Sequence, residues 1–273
     1  MFTWLIRGAL ALALSFFVLP RTVGAVEIIA HRGASADAPE NTLASMKLGW
    51  TQGADAVELD LWLSKDGRLL VFHDKDTKRF EKTPRLITSL TLEEARQLDV
   101  GSWKGAAFKG EPVPTLESIL ATIPKGRRVV LELKQGPEIV PELTRVLRAS
   151  KLAPEQLCII SFDFKSVVAA KKDWPTVPHY FLSGYSKDAK TGAFPELKPM
   201  IDRVKAAGLD GLNLQFKWPI TAGFVSEVKG AGLKLFVWTV NDAAVAKALV
   251  AAGVDGITTD KPQWLREQLA ARP

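Results

Sequence analysis

The segment Ala206-Ala207-Gly208-Leu209-Asp210-Gly211 recurs closer to the end of the chain as Ala251-Ala252-Gly253-Val254-Asp255-Gly256. In both copies a helical pattern ends on small residues, a glycine follows, and an apolar run begins. Glycine is favoured just past a helix because it takes up the left-handed backbone that ends many helices. Gly53 and Gly232 hold the same position after two other helical patterns. The repeated segment therefore predicts a junction from a helix into a strand, used twice.

Short apolar runs and amphipathic segments alternate in this way about eight times from residue 26 onward. The predicted strands are 26–31, 56–64, 128–134, 157–162, 179–183, 211–215, 234–240 and 256–259. The predicted helices are 42–51, 116–122, 139–150, 164–173, 196–207, 222–229, 243–251 and 263–271. Almost no hairpin signals interrupt the alternation, which favours a parallel barrel over an open sheet. We therefore predict an α/β fold, a (β/α)8 TIM barrel with a small insertion after the second strand.

Residues 75–114 break this rhythm, because they carry charges, prolines and only one short helical pattern at 92–98. We interpret them as an insertion between the second strand and its helix. Just before them, Asp66-Gly67 predicts a tight turn that lets 68–73 run back as an extra extended segment. Loops at the carboxyl ends of barrel strands hold the active sites of such folds. The insertion is therefore expected to shape access to a substrate.

The first 25 residues have the pattern of a secretory signal peptide. Arg7 precedes an uncharged run over residues 8–19, and Val23-Gly24-Ala25 offers small residues at a cleavage point. The apolar run is short for a bilayer span, so a retained anchor is the less favoured alternative. No stable membrane span is expected after cleavage. We predict that residues 26–273 form one barrel domain in a periplasmic or secreted protein.

The charge and cysteine content narrow the classes of partner. The formal net charge is +6, and cleavage would remove Arg7 and Arg21 and no acid, leaving +4. A mildly basic chain is compatible with an anionic substrate, but it lacks the dense Lys/Arg block of nucleic-acid binders. Cys158 is the only cysteine, so no internal disulfide forms. Its apolar neighbours favour a buried core residue over a nucleophile.

Two of the three histidines lie in charged clusters that follow extended segments. His31-Arg32-Gly33 follows the first predicted strand, and Phe72-His73-Asp74 ends the extra extended segment. A pair of imidazoles suits acid–base chemistry near neutral pH, with one accepting a proton and the other donating one. The alternative is that one or both only form hydrogen bonds in the core. His179 lies beside a proline at a strand entrance, and we expect it to be structural.

Carboxylates and cations share the inward faces of two predicted strands. Side chains alternate along a strand, so Glu58 and Asp60 point the same way, as do Glu132 and Lys134. Three carboxylates without a sulfur ligand suit a hard divalent cation, Mg²⁺ or Ca²⁺. The alternative is a metal-free network in which the three acids pair with Arg32 and Lys134. The two cations are also suited to neutralising a phosphate or sulfate oxyanion.

Three further positions have assigned or open roles. Thr42 is predicted to cap the helix that begins after Pro39-Glu40-Asn41, and Glu40 and Asn41 could support the site from behind. Trp238 closes the seventh predicted strand, where an indole is either a lid on the barrel core or an apolar wall for a substrate. Phe162 closes the fourth strand and could play a similar role.

With these residues in view, the chain resembles the glycerophosphodiester phosphodiesterase family. The matching motifs occur in family order: His31-Arg32-Gly33, Pro39-Glu40-Asn41-Thr42, Glu58-Leu59-Asp60, Asp66-Gly67, His73-Asp74, Pro114-Thr115-Leu116-Glu117, Glu132-Leu133-Lys134, Trp238-Thr239-Val240-Asn241, Gly253-Val254-Asp255-Gly256-Ile257 and Thr259-Asp260-Lys261-Pro262. Together they cover nearly all of the chain after residue 25. Leu61 stands where valine is usual, and Ser64 stands where threonine is usual and keeps the hydroxyl.

The resemblance implies a barrel enzyme that hydrolyses glycerophosphodiesters to an alcohol and sn-glycerol 3-phosphate with one divalent cation, Ca²⁺ or Mg²⁺. The site residues that it implies are the cation ligands Glu58, Asp60 and Glu132, the acid–base pair His31 and His73, and the phosphate-binding Arg32 and Lys134. We add Trp238 as a substrate-binding residue. The attacking group is either water or the substrate's own glycerol 2-hydroxyl, and either histidine could be the acid.

Two alternative functions are less favoured. A related barrel could cleave lysophospholipids and release the head group, in the manner of a lysophospholipase D. That activity calls for an apolar rim or an amphipathic helix, and the insertion offers only Trp103 and Phe108 as a small apolar patch. A catalytically silent ligand-binding barrel could have lost a ligand or a histidine, but every expected acid, base and cation is present here.

Overall fold

The computed structural model describes residues 26–271, so the predicted signal peptide at 1–25 lies outside the described residues. The strands are β1 (Glu27–Ala30), β2 (Ala56–Leu63), β3 (Leu69–Val71), β4 (Arg128–Leu133), β5 (Leu157–Ser161), β6 (His179–Ser183), β7 (Gly211–Gln215), β8 (Lys234–Trp238) and β9 (Gly256–Thr259). The helices are α1 (Leu43–Thr51), α2 (Leu92–Arg96), α3 (Leu116–Leu120), α4 (Val140–Ser150), α5 (Phe164–Asp173), α6 (Leu197–Ala206), α7 (Ala222–Gly230), α8 (Ala243–Ala252) and α9 (Pro262–Ala270). None of the helices in this part of the chain is both long and apolar enough to cross a membrane.

The sheet closes on itself, which confirms the predicted (β/α)8 TIM barrel. Strand β1 pairs in parallel with both β9 and β2, β2 pairs in parallel with β4, and the remaining parallel pairs run in sequence from β4 to β9. Strand β3 lies outside the barrel and pairs antiparallel with β2, as expected for the extra extended segment. We call the barrel end at the carboxyl ends of the parallel strands the mouth and the opposite end the floor.

Alternation along the strands separates two kinds of core. On β2, Val57, Leu59 and Leu61 are fully buried and pack toward the helices. The residues between them point into the barrel, whose interior is filled by Ile29, Ala56, Val130, Cys158, Ile160, Tyr180, Leu182 and Phe236. Cys158 is therefore a core residue, as predicted, and burial raises the pKa of its thiol to about 12.

Aspartates at the floor hold neighbouring strands together and explain the segment that occurs twice in the sequence. Asp210 precedes β7 and accepts a hydrogen bond from the backbone N–H of His179 on β6 (2.7 Å). Asp255 precedes β9 and accepts one from Leu235 on β8 (2.8 Å). Asp55, which precedes β2, does the same for Ile28 on β1 (3.0 Å). Each aspartate thus secures the amino end of an adjacent strand.

Element bounds differ from the predicted ones by at most two residues. Strand β1 ends at Ala30, one residue earlier than predicted, because the backbone of Arg32 takes up a left-handed φ of 53° and turns the chain. Strand β8 ends at Trp238 rather than Val240, whose N–H donates to Thr258 on β9. Thr42 caps α1 as predicted, with its hydroxyl oxygen accepting from the N–H of Ser45.

The insertion at 75–114 packs on its own apolar cluster. Besides α2 it contains two short 3-10 segments, Ile87–Ser89 and Ala106–Phe108. The buried cluster beneath it consists of Leu70, Phe72, Ile87, Leu90, Ala95, Leu98, Val100 and Val113. Lys104 Nζ reaches across to the Ser35 carbonyl in the loop after β1 (2.6 Å). The insertion is therefore attached to the mouth of the barrel and not only to β3.

Candidate active site

A pocket of about 570 Å³ opens at the mouth of the barrel. It is lined by His31, Arg32, Glu58, His73, Glu132, Lys134, Ile160, Phe162, Leu182, Asn213, Trp238 and Thr258. All of the predicted site residues except Asp60 are on this wall. Asp60 is 1% exposed and touches the wall through its contacts with Arg32 and Lys134. The structure thus brings all eight predicted site residues together.

Three carboxylates crowd the inner end of the pocket. One oxygen from each of Glu58, Asp60 and Glu132 lies within 4.8 Å of the other two, and Asp60 stands directly beside Glu132 on adjacent strands. Burial, together with the charges of the other two acids, raises the pKa of Glu58 well above its usual value. Burial and the charge of Asp60 raise the pKa of Glu132 to about 7. The ionised cluster is therefore under electrostatic strain.

Arg32 and Lys134 offset part of this negative charge. Lys134 Nζ lies 2.9 Å from Glu132 Oε1 and 3.4 Å from Asp60 Oδ1, and Arg32 Nε lies 3.2 Å from Asp60 Oδ2. Although burial opposes ionisation, the charges of Arg32 and Lys134 hold the pKa of Asp60 below its usual value. Ion pairs of the metal-free kind therefore do form, but three acids face only two cations.

The residues of the cluster fit a divalent cation. Asp60 Oδ1 is buried and accepts no hydrogen bond from any residue in 26–271. The donor set is entirely oxygen, which suits Mg²⁺ or Ca²⁺ better than a metal that prefers sulfur or imidazole. A cation placed here would neutralise the acid that the two side-chain cations leave unmatched. Both the orphaned oxygen and the excess charge thus point to a cation ligand set.

The loop after β1 holds Arg32 in the site by a set of hydrogen bonds. Arg32 and Asn41 both have left-handed backbones, with φ of 53° and 58°. Such conformations cost about 1–3 kcal/mol each in residues other than glycine. They are maintained because the Arg32 N–H donates to Glu58 Oε2 (2.9 Å) and the Asn41 N–H to the Arg32 carbonyl (3.0 Å). The Asn41 side chain also donates to Asp60 Oδ2 (2.8 Å), which places it behind the site as expected.

His31 is oriented by an aspartate that directly follows the last barrel strand. Its Nδ1 lies 2.7 Å from Asp260 Oδ1, and Asp260 also accepts from the Ser35 hydroxyl and from Asn241. Although burial opposes ionisation, the hydrogen bonds and charge of His31 and the other donors lower the pKa of Asp260 to about 2. Asp260 is therefore ionised at neutral pH and fixes the orientation of the imidazole through Nδ1. The Nε2 atom of His31 makes no hydrogen bond to residues 26–271.

His73 is oriented in the same way by its neighbour in sequence. Its Nδ1 lies 2.8 Å from Asp74 Oδ1, and the indole of Trp62 donates to its backbone carbonyl (3.2 Å). Burial lowers the pKa of His73. The negative charge of Asp60 opposes this shift, whereas the positive charges of Arg32 and Lys134 add to it. The pocket thus contains two histidine–aspartate pairs. By contrast, His179 is completely buried at the floor, where its Nδ1 meets the Val177 carbonyl (2.8 Å).

Trp238 forms an apolar wall on the other side of the pocket. Its indole packs against the barrel interior, meets Phe162 edge to face with ring centroids 5.5 Å apart, and donates to the Asn213 carbonyl (3.1 Å). Phe162 itself is 47% exposed. The two roles left open for Trp238 are therefore compatible, because the ring covers the core with one part and lines the pocket with another.

Sequence reasoning assigned no role to Asp260, Asp74 or Arg79. Asp260 directly follows the last barrel strand, and Asp74 directly follows His73. An acid at either kind of position is the feature of the sequence that could have indicated a partner for a histidine. Arg79 lies in the insertion, where no periodicity fixes its position. It pairs with both Asp74 and Glu40.

Two histidine–aspartate pairs and two cationic side chains surround one pocket at the barrel mouth, which is a set of groups suited to the hydrolysis of an anionic ester. The chain belongs to the glycerophosphoryl diester phosphodiesterase family, whose model matches residues 31–264. The Bacillus subtilis protein YhdW is 35% identical over 245 residues, which are 87% of this chain and 96% of that protein. The glycerophosphodiester phosphodiesterase of Caldanaerobacter subterraneus is 34% identical over 244 residues, or 87% and 95% of the two chains.

The fold comparison agrees with this assignment. A phosphodiesterase of Oleispira antarctica, solved in complex with the product sn-glycerol-3-phosphate, superposes with a TM-score of 0.80 at 32% sequence identity. The match covers 90% of this chain and 97% of that one. The resemblance seen in the sequence is confirmed, and the enzyme class is that of the glycerophosphodiester phosphodiesterases.

Proposed function

We propose that this enzyme hydrolyses glycerophosphodiesters to an alcohol and sn-glycerol 3-phosphate with one divalent cation, Ca²⁺ or Mg²⁺, and with His31 and His73 as general acid and base. The observation that carries the proposal is that both histidine–aspartate pairs, the three carboxylates and both cations surround one pocket. The product bound in the Oleispira antarctica phosphodiesterase supports the glycerol phosphate end of the substrate.

Glu58, Asp60 and Glu132 are the proposed ligands of the cation. When bound, the cation supplies Lewis-acid polarisation of a phosphoryl oxygen and a template for the attacking hydroxyl. The proposal rests on the unmatched negative charge of the cluster and on the buried Asp60 oxygen without a hydrogen bond. The elevated pKa values of Glu58 and Glu132 agree with it, since neighbouring negative charge and burial raise both.

Arg32 and Lys134 are the proposed phosphate-binding residues. Their charged groups lie against Asp60 and Glu132, at the boundary between the carboxylates and the open pocket. Arg32 Nε is buried against Asp60, so an oxyanion would meet the part of the Arg32 side chain that lines the pocket. Guanidinium and ammonium groups can both donate to phosphoryl oxygens as negative charge develops there.

The acid–base step moves two protons. The attacking oxygen, from water or from the glycerol 2-hydroxyl, forms a new bond to phosphorus and gives its proton to one imidazole. The bond from phosphorus to the alcohol oxygen breaks, and the other imidazole protonates that oxygen. Attack by the 2-hydroxyl produces a cyclic phosphate, which water then opens with the two imidazoles in exchanged roles: the second accepts the proton of water, and the first returns its proton to the 2-oxygen as that oxygen leaves phosphorus. Since Asp260 and Asp74 hold the Nδ1 atoms, the Nε2 atoms of both rings are available for these transfers.

The proposed role of Trp238 is to provide an apolar surface for the carbon skeleton of the substrate. The indole lines the pocket opposite the charged groups, and Phe162 extends this surface toward solvent. A polar and an apolar wall would orient a phosphodiester because its negative charge is confined to the phosphate. Trp238→Ala is expected to raise KM more than it lowers kcat.

We further propose that the protein is exported and acts in the periplasm or outside the cell. The support is the arrangement of Arg7, the apolar run and the small residues before Val26. N-terminal sequencing of protein from the exporting host is expected to begin near Val26. A chain that still begins at Met1 would contradict cleavage.

The decisive assay measures release of sn-glycerol 3-phosphate from glycerophosphocholine. Purified protein beginning at Val26 is assayed after chelation and again after addition of Ca²⁺ or Mg²⁺. Activity that is lost with chelator and restored by one of these cations is the expected result. A folded sample that stays inactive with both cations contradicts the proposal. Lysophospholipids are then the next substrates to assay, and no turnover of either class would indicate a silent barrel.

A further inference from the structure

We propose that Arg79, in the insertion, is a positioning residue that holds His73 in its working orientation through Asp74. The inference rests on the proposed role of His73 as one of the two acid–base groups. Asp74 uses both carboxylate oxygens: Oδ1 lies 2.8 Å from His73 Nδ1, and Oδ2 lies 3.2 Å from Arg79 Nη1. Arg79 therefore secures the oxygen that the histidine does not use.

A second acid fixes Arg79 from the other side. Its Nη1 also donates to Glu40 Oε1 (2.9 Å), the same oxygen that lies 3.3 Å from Arg32 Nη1. One nitrogen of Arg79 thus bridges a carboxylate in the loop after β1 and a carboxylate in the loop after β3. Burial opposes the charge of Arg79, but the hydrogen bonds and charges of Glu40 and Asp74 raise its pKa. The Arg79 guanidinium is therefore a permanent positive charge between the carboxylates of Glu40 and Asp74.

Aromatic rings hold the guanidinium in place. Its carbon lies 5.1 Å from the centroid of Phe80 and 4.9 Å from that of Trp103. Phe80 packs edge to face on Phe72, the residue before His73, with centroids 5.5 Å apart. Contacts of this kind limit the movement of an otherwise flexible side chain. The insertion thus supplies an aromatic support for Arg79, to which the half-exposed Trp103 contributes by its contact with the guanidinium.

Loss of Arg79 would free the Asp74 carboxylate to rotate away from His73. The imidazole would then be held by one bond to a mobile partner, and its Nε2 would be less often aimed into the pocket. Small misplacements of a reacting group can lower a rate by as much as about 100-fold. A purely structural role predicts something else, a loss of stability with an unchanged rate per folded molecule.

Arg85 provides a matched control because it lies in the same insertion. Its side chain is 38% exposed, as is that of Arg79, and it pairs with Glu81 (2.6 Å) rather than with a residue of the site. Arg85→Met and Arg79→Met therefore remove the same charge from the same segment. Arg79→Lys is the rescue variant, since a single nitrogen makes both bonds in the wild-type protein.

Steady-state kinetics on glycerophosphocholine, with metal ion present, test the proposal. Arg79→Met is expected to lower kcat by about 10- to 100-fold with KM changed less than about threefold. Arg79→Lys is expected to recover most of kcat, and Arg85→Met to match the wild type. The double variant Asp74→Asn/Arg79→Met should have a kcat no more than about threefold below that of Asp74→Asn alone, because both substitutions act on the same imidazole. Independent, multiplying losses, or a higher KM with unchanged kcat, would overturn the proposal.

Nitrogen NMR of histidine-labelled protein gives a readout that does not depend on turnover. The chain has three histidines, so each ring can be followed separately. At pH 8 the His73 ring is expected to be neutral in the wild type, with its proton held on Nδ1. In Arg79→Met the signals of His73 should show a mixture of the two tautomers, while those of His31 and His179 stay unchanged. In Arg85→Met all three histidines should match the wild type. An unaltered His73 in Arg79→Met rejects the proposal even in an inactive protein. An inactive wild type with the expected NMR change would instead reject only the proposed function.

Discussion

Charged residues cluster at both the mouth and the floor of the barrel, buried at the mouth and partly exposed at the floor, and the two ends balance their charges differently. At the floor each acid meets a cation: Glu27 pairs with Arg128 (2.6 Å), Asp210 with Lys171 (2.7 Å) and Asp255 with Lys229 (3.2 Å). At the mouth three carboxylates share Arg32 and Lys134. The matched charges also complete strand hydrogen bonds, whereas Asp60 Oδ1 at the mouth accepts no hydrogen bond from residues 26–271.

This difference separates stability from function. A charge whose counter-charge is supplied by the chain itself is neutralised as soon as the chain folds. A buried charge that lacks a partner costs free energy until something else supplies the counter-charge. The floor is therefore expected to respond to mutation through the free energy of unfolding, and the mouth through turnover and metal binding. Four measurements test this separation.

The largest expected effect is at the two mouth histidines. His31→Ala and His73→Ala each remove an acid–base group from the transition state and should lower kcat by about 1000-fold. Both side chains are partly exposed to the pocket, so the temperature midpoint of unfolding should hardly change. Rates of sn-glycerol 3-phosphate release and thermal melts check both statements. Wild-type rates in either variant would remove that histidine from the mechanism.

The next effect is at the carboxylate cluster, where Glu58→Gln should change metal binding and stability in opposite directions. Loss of one anionic ligand should weaken Ca²⁺ or Mg²⁺ binding at least about tenfold and lower activity by about 100-fold. The metal-free protein should become more stable by about 1 kcal/mol, because burial and like charges disfavour the ionised acid that is removed. Calorimetric metal titration and urea unfolding without metal test the two parts. An unchanged titration would contradict the ligand assignment.

At the floor, Asp210→Ala should affect stability alone. The substitution leaves the His179 N–H and the Lys171 ammonium without their 2.7 Å partner. An unsatisfied buried donor and a broken ion pair are expected to cost about 2–3 kcal/mol. Urea unfolding measures this loss, and kcat per folded molecule should stay at the wild-type value. A large fall in kcat at full folding would show that the two ends of the barrel are coupled.

The smallest expected effect is a pH dependence of stability that belongs to His179. Burial lowers the pKa of this histidine to about 4, from about 6.5 in the unfolded chain. Between these values the unfolded state binds the extra proton, so stability falls as the pH falls, by about 2 kcal/mol from pH 7 to pH 5. His179→Asn keeps a donor for the Val177 carbonyl and removes the titration. Urea unfolding at both pH values should show a shallower fall in the variant, and equal falls would contradict the assignment.

The strands and helices could be predicted closely because their patterns are local. Alternating burial placed Glu58 with Asp60 and Glu132 with Lys134 on inward faces, and the structure agrees. The barrel also followed from the pattern, since repeated strand–helix units without hairpins have few other arrangements.

The partners of the histidines could not be predicted, because they depend on loops and on closure of the barrel. Asp260 is 229 positions from His31, and only the pairing of β1 with β9 brings them together. Arg79 reaches Asp74 from a segment with no periodicity, whose course is set by a separate apolar cluster. Sequence patterns describe the face of a strand or helix, but they do not specify how an irregular loop returns to the site.

The pairing of His31 with Asp260 also has a consequence for biosynthesis. His31 belongs to the first barrel segment to leave the ribosome and Asp260 to the last, so the pair forms only after the seam between β1 and β9 has closed. Contacts at such long sequence separation are slow to form. A nascent chain that has already built most of its helices is therefore still without an oriented His31. Because His31 is a proposed acid–base group, hydrolysis by this enzyme is expected only once the barrel has been synthesised through β9 and closed.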